Sequence, residues 1–212
     1  MGISSQIDTF SSFTQVSRET ITSLIRYEDL LIQANRNLNL IGKSTINDVW
    51  ARHFMDSIQV IDFIEENDKT MIDMGSGAGF PGIVLAIASK DRKIPIKIKL
   101  LEKSIKKARF LNEIVKELSL NVEVINKNFL NLQNKISEDV LVARAFKPLK
   151  IFLPLIHKNT EKWKKIIIFL GKTGNDELHH ASKSWDIKYK QRVSITSSDS
   201  SIIEINNLKK KF

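Results

Sequence analysis

The stretch Asp73-Met-Gly75-Ser-Gly77-Ala-Gly79-Phe-Pro81-Gly82 limits the possible folds more than any other part of this 212-residue chain. Glycines packed this densely let a backbone turn sharply and approach a ligand with no Cβ in the way. An apolar run, Thr70-Met-Ile-Asp-Met, stops at the first glycine, and Pro81-Gly-Ile-Val-Leu-Ala-Ile-Ala closes the motif. The run predicts a strand. The segment from Pro81 predicts a helix, with proline suited to its first position. A turn from strand into helix N-terminus offers free amides to an anionic or strongly accepting group.

The same alternation continues downstream. Ile96-Lys-Ile-Lys-Leu-Leu-Glu102 alternates and ends in an acid. Ser104 to Leu118 carries Ile105, Ala108, Leu111, Ile114, Val115 and Leu118 on one helical face. Val122-Glu-Val-Ile, Val140-Leu-Val-Ala and Lys165 to Leu170 are further strands. Strands alternating with helices mean βαβ units and a parallel sheet. Tyr189 to Thr196 and Ser201 to Ile205 read as a closing hairpin, with the polar residues between Ser194 and Ser201 as its loop. Up to about residue 66 the chain reads as helices instead. Ser17 is an N-cap with Glu19 in the first turn, and Ile46, Val49, Trp50, His53, Phe54, Ser57, Ile61 and Ile64 form one stripe. The expectation is an α/β, doubly wound, mostly parallel seven-stranded sheet. A helical extension at residues 1–66 would pack on a single core unit at 67–212. Lys209-Lys-Lys-Phe reads as a frayed end.

An acid at the end of the second strand, Glu102, can accept hydrogen bonds from a ribose diol. Glycine loop and acid together describe a nucleoside-bearing cofactor. Gly77-Ala-Gly79-Phe-Pro-Gly82 also satisfies the G-x-G-x-x-G dinucleotide pattern, so a nicotinamide cofactor stays open. Asp73 favours an ammonium, such as the methionyl amine of S-adenosylmethionine, and would repel a pyrophosphate. Pro81 removes one amide donor from the helix start. The chain has no Cys, which excludes disulfides, Cys-ligated zinc and iron–sulfur clusters. Its four His show no metal-ligand spacing, and no metal is expected.

Charge is uneven along the chain. Residues 1–90 hold 7 basic and 11 acidic side chains, whereas residues 91–212 hold 26 and 13. A basic half suits a polyanion such as nucleic acid, and equally a lysine-rich solvated surface. No segment approaches the length of an apolar membrane span, and the first residues show no basic n-region or apolar h-region. A cytoplasmic, membrane-free protein is expected, with no repeat that indicates an oligomer.

The glycine loop resembles the cofactor loop of the bacterial 16S ribosomal RNA guanine-N7 methyltransferases, the glucose-inhibited division protein B family. The likeness extends to Asn39-Leu40, Arg52-His53-Phe-Met-Asp56-Ser57, Leu101-Glu102-Lys-Ser-Ile-Lys-Lys107-Ala-Arg109-Phe-Leu111 and Arg144-Ala145-Phe146. It implies a Rossmann-like class I methyltransferase fold, S-adenosylmethionine as methyl donor, and guanine 527 of 16S rRNA in the small ribosomal subunit as substrate. By the same likeness Asp73, Gly75, Gly77, Gly79 and Phe80 form the cofactor loop and Glu102 holds the ribose. Asn128-Phe129-Leu130 lies against the adenine, and Arg144 stands beside methyl donor and base. His53, Lys147 and Lys172 are substrate-side candidates. The chain has Gly171-Lys172 where the family usually has Lys-Gly, and no acid at Phe129-Leu130.

Guanine N7 carries a free lone pair, so attack on a methyl group needs no proton removed first. Such an enzyme needs positioning, for which an arginine fork is suited, and neither a nucleophile triad nor a metal. His53 is therefore not required as a general base. Asp56, four residues after Arg52, is also placed for a helix-surface ion pair with it. Two other classes of function fit the residues: a cofactor-binding RNA module without catalysis, and a methyltransferase for a small molecule or another RNA.

Overall fold

The computed structural model describes residues 3–211. Met1 and Gly2, part of the N-terminal reading, and Phe212 of the basic tail lie outside the described residues.

Helices α1 (Ile3–Thr14) and α2 (Arg18–Leu38) come first. Ser17 caps α2 as its sequence suggests, its side chain accepting from the Thr20 amide. The apolar stripe that follows is helical but broken. It runs through a 3-10 turn (Lys43–Asp48), a π-helical turn (Trp50–Phe54), the short α3 (Met55–Ile58) and another 3-10 turn (Gln59–Phe63). Then β1 (Thr70–Met74), α4 (Gly82–Asp91), β2 (Lys97–Leu101), α5 (Ile105–Glu117) and β3 (Val122–Ile125) alternate. After β4 (Ile136–Ser137) come β5 (Val140–Arg144), α6 (Leu149–Asn159), β6 (Thr160–Lys162), β7 (Lys165–Leu170) and α7 (Gly174–Ser182). β8 (Trp185–Ser194) and β9 (Ser197–Lys210) close the chain.

Seven strands form one sheet in the order β3-β2-β1-β5-β7-β9-β8, parallel from β3 to β7, with β9 antiparallel to β7 and β8 to β9. The short β4 and β6 pair separately, in two stretches too brief to announce themselves in the sequence. Side chains alternate across the sheet. Met71, Val140 and Val142 pack with α1, α2, α4 and α5 in one apolar cluster, while Ile72, Met74, Leu141 and Ala143 pack with α6 and α7 in another.

The closing hairpin differs from its reading. Its turn is only Ile195-Thr196, with Ser194 opposite Ser197, and the polar residues up to Ser201 belong to β9. Ser197 to Ser200 run past the end of β7 and pair with β8 alone, so their polar side chains have no apolar face to mark a strand in sequence. Lys209 and Lys210 likewise pair with Asp186 and Trp185 instead of fraying. Pro81 sits just ahead of α4, which begins at Gly82.

The N-terminal helices reach the glycine loop through a chain of aromatic rings. Phe10 meets Trp50 with centroids 5.2 Å apart, Trp50 meets Phe54 at 5.0 Å, Phe54 meets Tyr27 at 5.5 Å, and Tyr27 meets Phe80 at 5.5 Å. Each such pair contributes about 0.5–1.5 kcal/mol beyond area burial. Tyr27 Oη also donates to the Ala78 carbonyl at 2.6 Å. α2 thus anchors the loop that follows β1.

Candidate active site

The order of strands reverses between β1 and β5, and this switch point opens a crevice at their carboxyl ends. The glycine loop enters it directly from β1. Gly75 and Ser76 amides donate to the Leu101 carbonyl at 2.8 and 3.2 Å, tying the loop to the end of β2. Gly75 has φ +77°, and a Cβ there would come within 2.4 Å of the Phe146 ring. The loop needs glycine at this position both for its left-handed backbone and for the close approach of Phe146.

Glu102 is buried at the end of β2. Its Oε2 accepts from the Gly77 amide at 2.9 Å and its Oε1 from the Ser104 amide at 2.7 Å, where Ser104 caps α5. One carboxylate therefore joins the glycine loop to the next helix. Each oxygen keeps a further lone pair, enough for two ribose hydroxyls.

Asp73 lies beneath the loop at 1% exposure. Its Oδ2 accepts from the Gly82 amide at 3.0 Å, while Oδ1 is buried with no hydrogen-bond partner. Burial pushes this carboxyl up to about 7, against the Gly82 amide and the Arg144 charge, which favour the ionised form. Between the ordinary carboxylate value of 3.8 and about 7 the folded chain holds a proton that the unfolded chain has lost. The carboxyl therefore costs stability as pH rises through that window. In Asp73→Asn the amide oxygen still accepts from Gly82 and nothing titrates. The melting temperature of the variant minus that of the parent is expected to climb between pH 4 and 7 and to level off above it. Thermal melts across pH check this, and a constant difference would contradict it.

Arg144, the last residue of β5, is the centre of the site. Its Nε forms an ion pair with Asp56 Oδ2 at 3.0 Å, and Nη2 donates to the Arg52 carbonyl at 2.8 Å. Nη1 and Nη2 both reach His53 Nδ1 at 3.3 Å. Its guanidinium carbon lies 5.8 Å from the Phe80 ring centre, within cation–π range. Burial lowers the Arg144 value, with the Asp56 and Asp73 charges opposing. The next residue, Ala145, has φ +51°, a left-handed conformation that turns the chain sharply out of β5.

His53 is half-buried and stacks on Phe80 with centroids 4.8 Å apart and planes 9° apart. Its Nε2 lies 3.0 Å from Thr45 Oγ1. Burial first, and then the Arg144 and Arg52 charges, push it down to about 4. It is neutral near pH 7, so Nδ1 accepts from Arg144 and Nε2–H faces Thr45. A neutral acceptor already engaged on both nitrogens is a support for Arg144, in keeping with a site that needs no general base.

Asn128 caps a 3-10 turn at Phe129–Asn131 through its side chain, which accepts from the Leu130 amide. Phe129 is buried and meets Phe146 edge-on at 5.8 Å, and Leu130 is 46% exposed. This turn follows β3 and flanks the crevice beside Glu102, whose carbonyl accepts from Asn126 Nδ2 at 2.8 Å. Lys147 and Lys172 are exposed, one after Arg144-Ala145-Phe146 and one just after β7. Among the described residues no group of three or more His, Asp or Glu could hold a metal ion.

Asp73, Gly75, Gly77, Gly79, Phe80, Glu102, His53 and Arg144 thus gather at one end of the sheet. Asp56 pairs with Arg144 and not with Arg52 among the described residues, because the sheet brings the buried Arg144 guanidinium to it. Tyr27, Gln59, Ser194 and Thr196 have no sequence signal for a place in the site. They lie in a helix, a broken helix and a strand end far apart in the chain. Only the aromatic identity of Tyr27 on the α2 stripe could have drawn notice.

Several known proteins are similar to this chain. The profile of the family described as GidB: rRNA small subunit methyltransferase G matches residues 20–206. A ribosomal RNA small subunit methyltransferase G of Pelagibacter ubique is 38% identical over 198 residues, covering 92% of each chain. One from Rickettsia akari is 34% identical over 198 residues, covering 92% of this chain and 98% of its own. Solved structures share the fold at low identity. MtNAS in complex with MTA and tNA superposes with a TM-score of 0.57 at 12% identity, over 84% of this chain and 70% of its own. TYW2 of M. jannaschii in complex with AdoMet gives 0.50 at 18% identity, over 74% and 77%.

Proposed function

Because this chain belongs to the GidB family of rRNA small subunit methyltransferases G, we propose that it methylates N7 of guanine 527 in 16S rRNA, with S-adenosylmethionine as donor. The observation that carries this reading is Arg144. A cationic fork is fixed at the switch point against the glycine loop, with a neutral histidine and the Asp56 carboxylate holding it from behind.

The residues fit the cofactor. Asp73 carries a buried oxygen with no hydrogen-bond partner, a need that an ammonium would meet. Glu102 offers carboxylate lone pairs for a ribose diol, and the turn Asn128 to Leu130 offers backbone and apolar surface to an adenine. Bound there, the cofactor supplies an electrophilic methyl group. Arg144 orients guanine O6 or a neighbouring phosphate with its charge and the Nη1 hydrogen left free by its protein partners, so that N7 approaches in line. Lys147 and Lys172 meet RNA phosphates at the rim. Residues 1–66 act with the core at 67–212 as one wall of the site, and the enzyme works as a cytoplasmic monomer. No helix among the described residues is long and apolar enough to cross a membrane.

The test is methyl transfer from isotopically labelled S-adenosylmethionine to small subunits, and to free 16S rRNA, that lack N7 methylation. The product is mapped by chain cleavage at N7-methylguanine. Label at the single guanine supports the reading. Label elsewhere, or none despite cofactor binding, refutes it. Loss of the Glu102 carboxylate should be felt first in cofactor affinity. A hydrogen bond to a charged group contributes about 1.5–3 kcal/mol, so Glu102→Ala is expected to weaken S-adenosylmethionine binding about 10- to 100-fold by isothermal titration calorimetry.

A further inference from the structure

Arg144 is held from behind by a carboxylate that itself is held from three directions. Asp56 Oδ1 accepts from Gln59 Nε2 at 3.0 Å, Ser194 Oγ at 3.1 Å and Thr196 Oγ1 at 2.9 Å. Its other oxygen, Oδ2, faces Arg144 Nε. Gln59 is buried and clamps the same hairpin, its Nε2 donating to Ser194 Oγ at 3.1 Å and its Oε1 accepting from the Ile195 amide at 3.2 Å. The Arg144 and Asp56 side chains are only 18% and 13% exposed. This is more order than a surface ion pair needs, since exposed pairs contribute about 0–1 kcal/mol and carry no such scaffold.

We infer that Asp56 is a positioning residue for Arg144, and that the β8–β9 turn sets its place through Ser194 and Thr196. The inference rests on the reading of Arg144 given above. A guanidinium gripped only at Nη could swing about its long side chain. The Nε contact to Asp56, with the Arg52 carbonyl and His53 on the Nη groups, fixes the plane of the fork. Nη1 keeps a hydrogen beyond its bond to His53. The fork also borders a cleft of about 220 Å³ whose lining includes Arg52, Asp56, Ala145, Thr196 and Ser201. The hairpin that orders Asp56 is therefore also a wall of the space next to Arg144, so an RNA seated on that wall presses on the device that aims the fork.

Asp56→Asn tests this. The amide oxygen can keep the three bonds from Gln59, Ser194 and Thr196, while an NH2 donor then opposes the Arg144 Nε–H. Misplacing a reacting group by about 1 Å costs about 100-fold, so kcat on unmethylated small subunits is expected to fall about 10- to 100-fold. KM for rRNA and the dissociation constant for S-adenosylmethionine are expected to stay within about threefold, a change near 0.6 kcal/mol. A purely structural role would lower the melting temperature and leave kcat per folded molecule at the parental value, which overturns the inference. A shift confined to KM overturns it too. Thr196→Val, which removes one of the three supports near the surface, is expected to lower kcat severalfold with cofactor affinity unchanged. It carries the test alone if Asp56→Asn does not fold, and parental kcat in Thr196→Val then overturns the inference. Arg144→Ala separates the two readings. Full turnover in Arg144→Ala ends the assignment of Arg144 and this inference with it. Lost turnover in Arg144→Ala beside full turnover in Asp56→Asn ends the inference alone.

Discussion

Arg144→Ala is expected to lower kcat for methyl transfer to unmethylated small subunits by about 100- to 1000-fold, the usual cost of removing one preorganised donor from a reacting centre. The loss follows from what the side chain does. It joins β5, the Arg52 carbonyl, His53 and Asp56 at one point. Without it, the guanidinium fixed by these three partners is lost. Glu102 and Gly77, proposed to hold the cofactor, make none of their hydrogen bonds through Arg144, so S-adenosylmethionine affinity is expected to change much less than kcat. Stability should also fall, because Asp56 is left as a mostly buried charge without its partner. Arg144→Lys keeps the cation and spares much of that stability, but a point charge does not reproduce the fork. Single-turnover kinetics on folded protein, with melting temperatures beside them, distinguish the two losses. Undiminished turnover in Arg144→Ala would remove Arg144 from the reaction.

The second large effect is expected from Gly79→Ala. Gly79 has φ +106°, and a Cβ on it would stand 2.6 Å from Ile83 Cγ1 and 2.7 Å from Tyr27 Oη. Neither neighbour can retreat freely. Ile83 and Tyr27 are both fully buried, and Tyr27 Oη is committed to the Ala78 carbonyl. Backbone strain of about 1–3 kcal/mol adds to overpacking of about 1–3 kcal/mol. At about 2–4 °C per kcal/mol for a chain of this size, the melting temperature should drop by roughly 5–15 °C. Relief requires the loop to move away from α2, which displaces the Gly77 amide from Glu102. Cofactor binding is therefore expected to weaken by more than about tenfold, measured by calorimetry below the melting point. A variant with parental affinity and melting temperature would show that the loop has room that its geometry denies.

Much of the molecule is legible in the chain because its signals are local. Strand, glycine loop and helix occupy consecutive residues, and a glycine with a left-handed backbone leaves its mark wherever it occurs. The apolar runs at Thr70–Met74, Val140–Arg144 and Lys165–Leu170 name buried parallel strands, since both faces of such strands are covered. Ser17 and Ser104 cap helices by chemistry confined to three residues. With Glu102 one strand later, these carry the proposed nucleoside site at the end of the sheet. The motif likeness adds the methyl donor and the RNA.

The partners of the reacting centre were decided elsewhere. Asp56 reads in sequence as the neighbour of Arg52, yet its ion pair is with Arg144, 88 residues away. The closing hairpin is legible as a hairpin, but its polar residues carry no apolar alternation and nothing in the sequence shows that Ser194 and Thr196 sit on Asp56. The buried state of Asp73 and the neutrality of His53 follow from what covers them, not from their flanking residues. Hydrophobic period and backbone conformation are properties of a short segment and survive in one dimension. A hydrogen-bonded network among side chains from β5, the broken helix and the hairpin exists only once the sheet has brought those segments to the same edge.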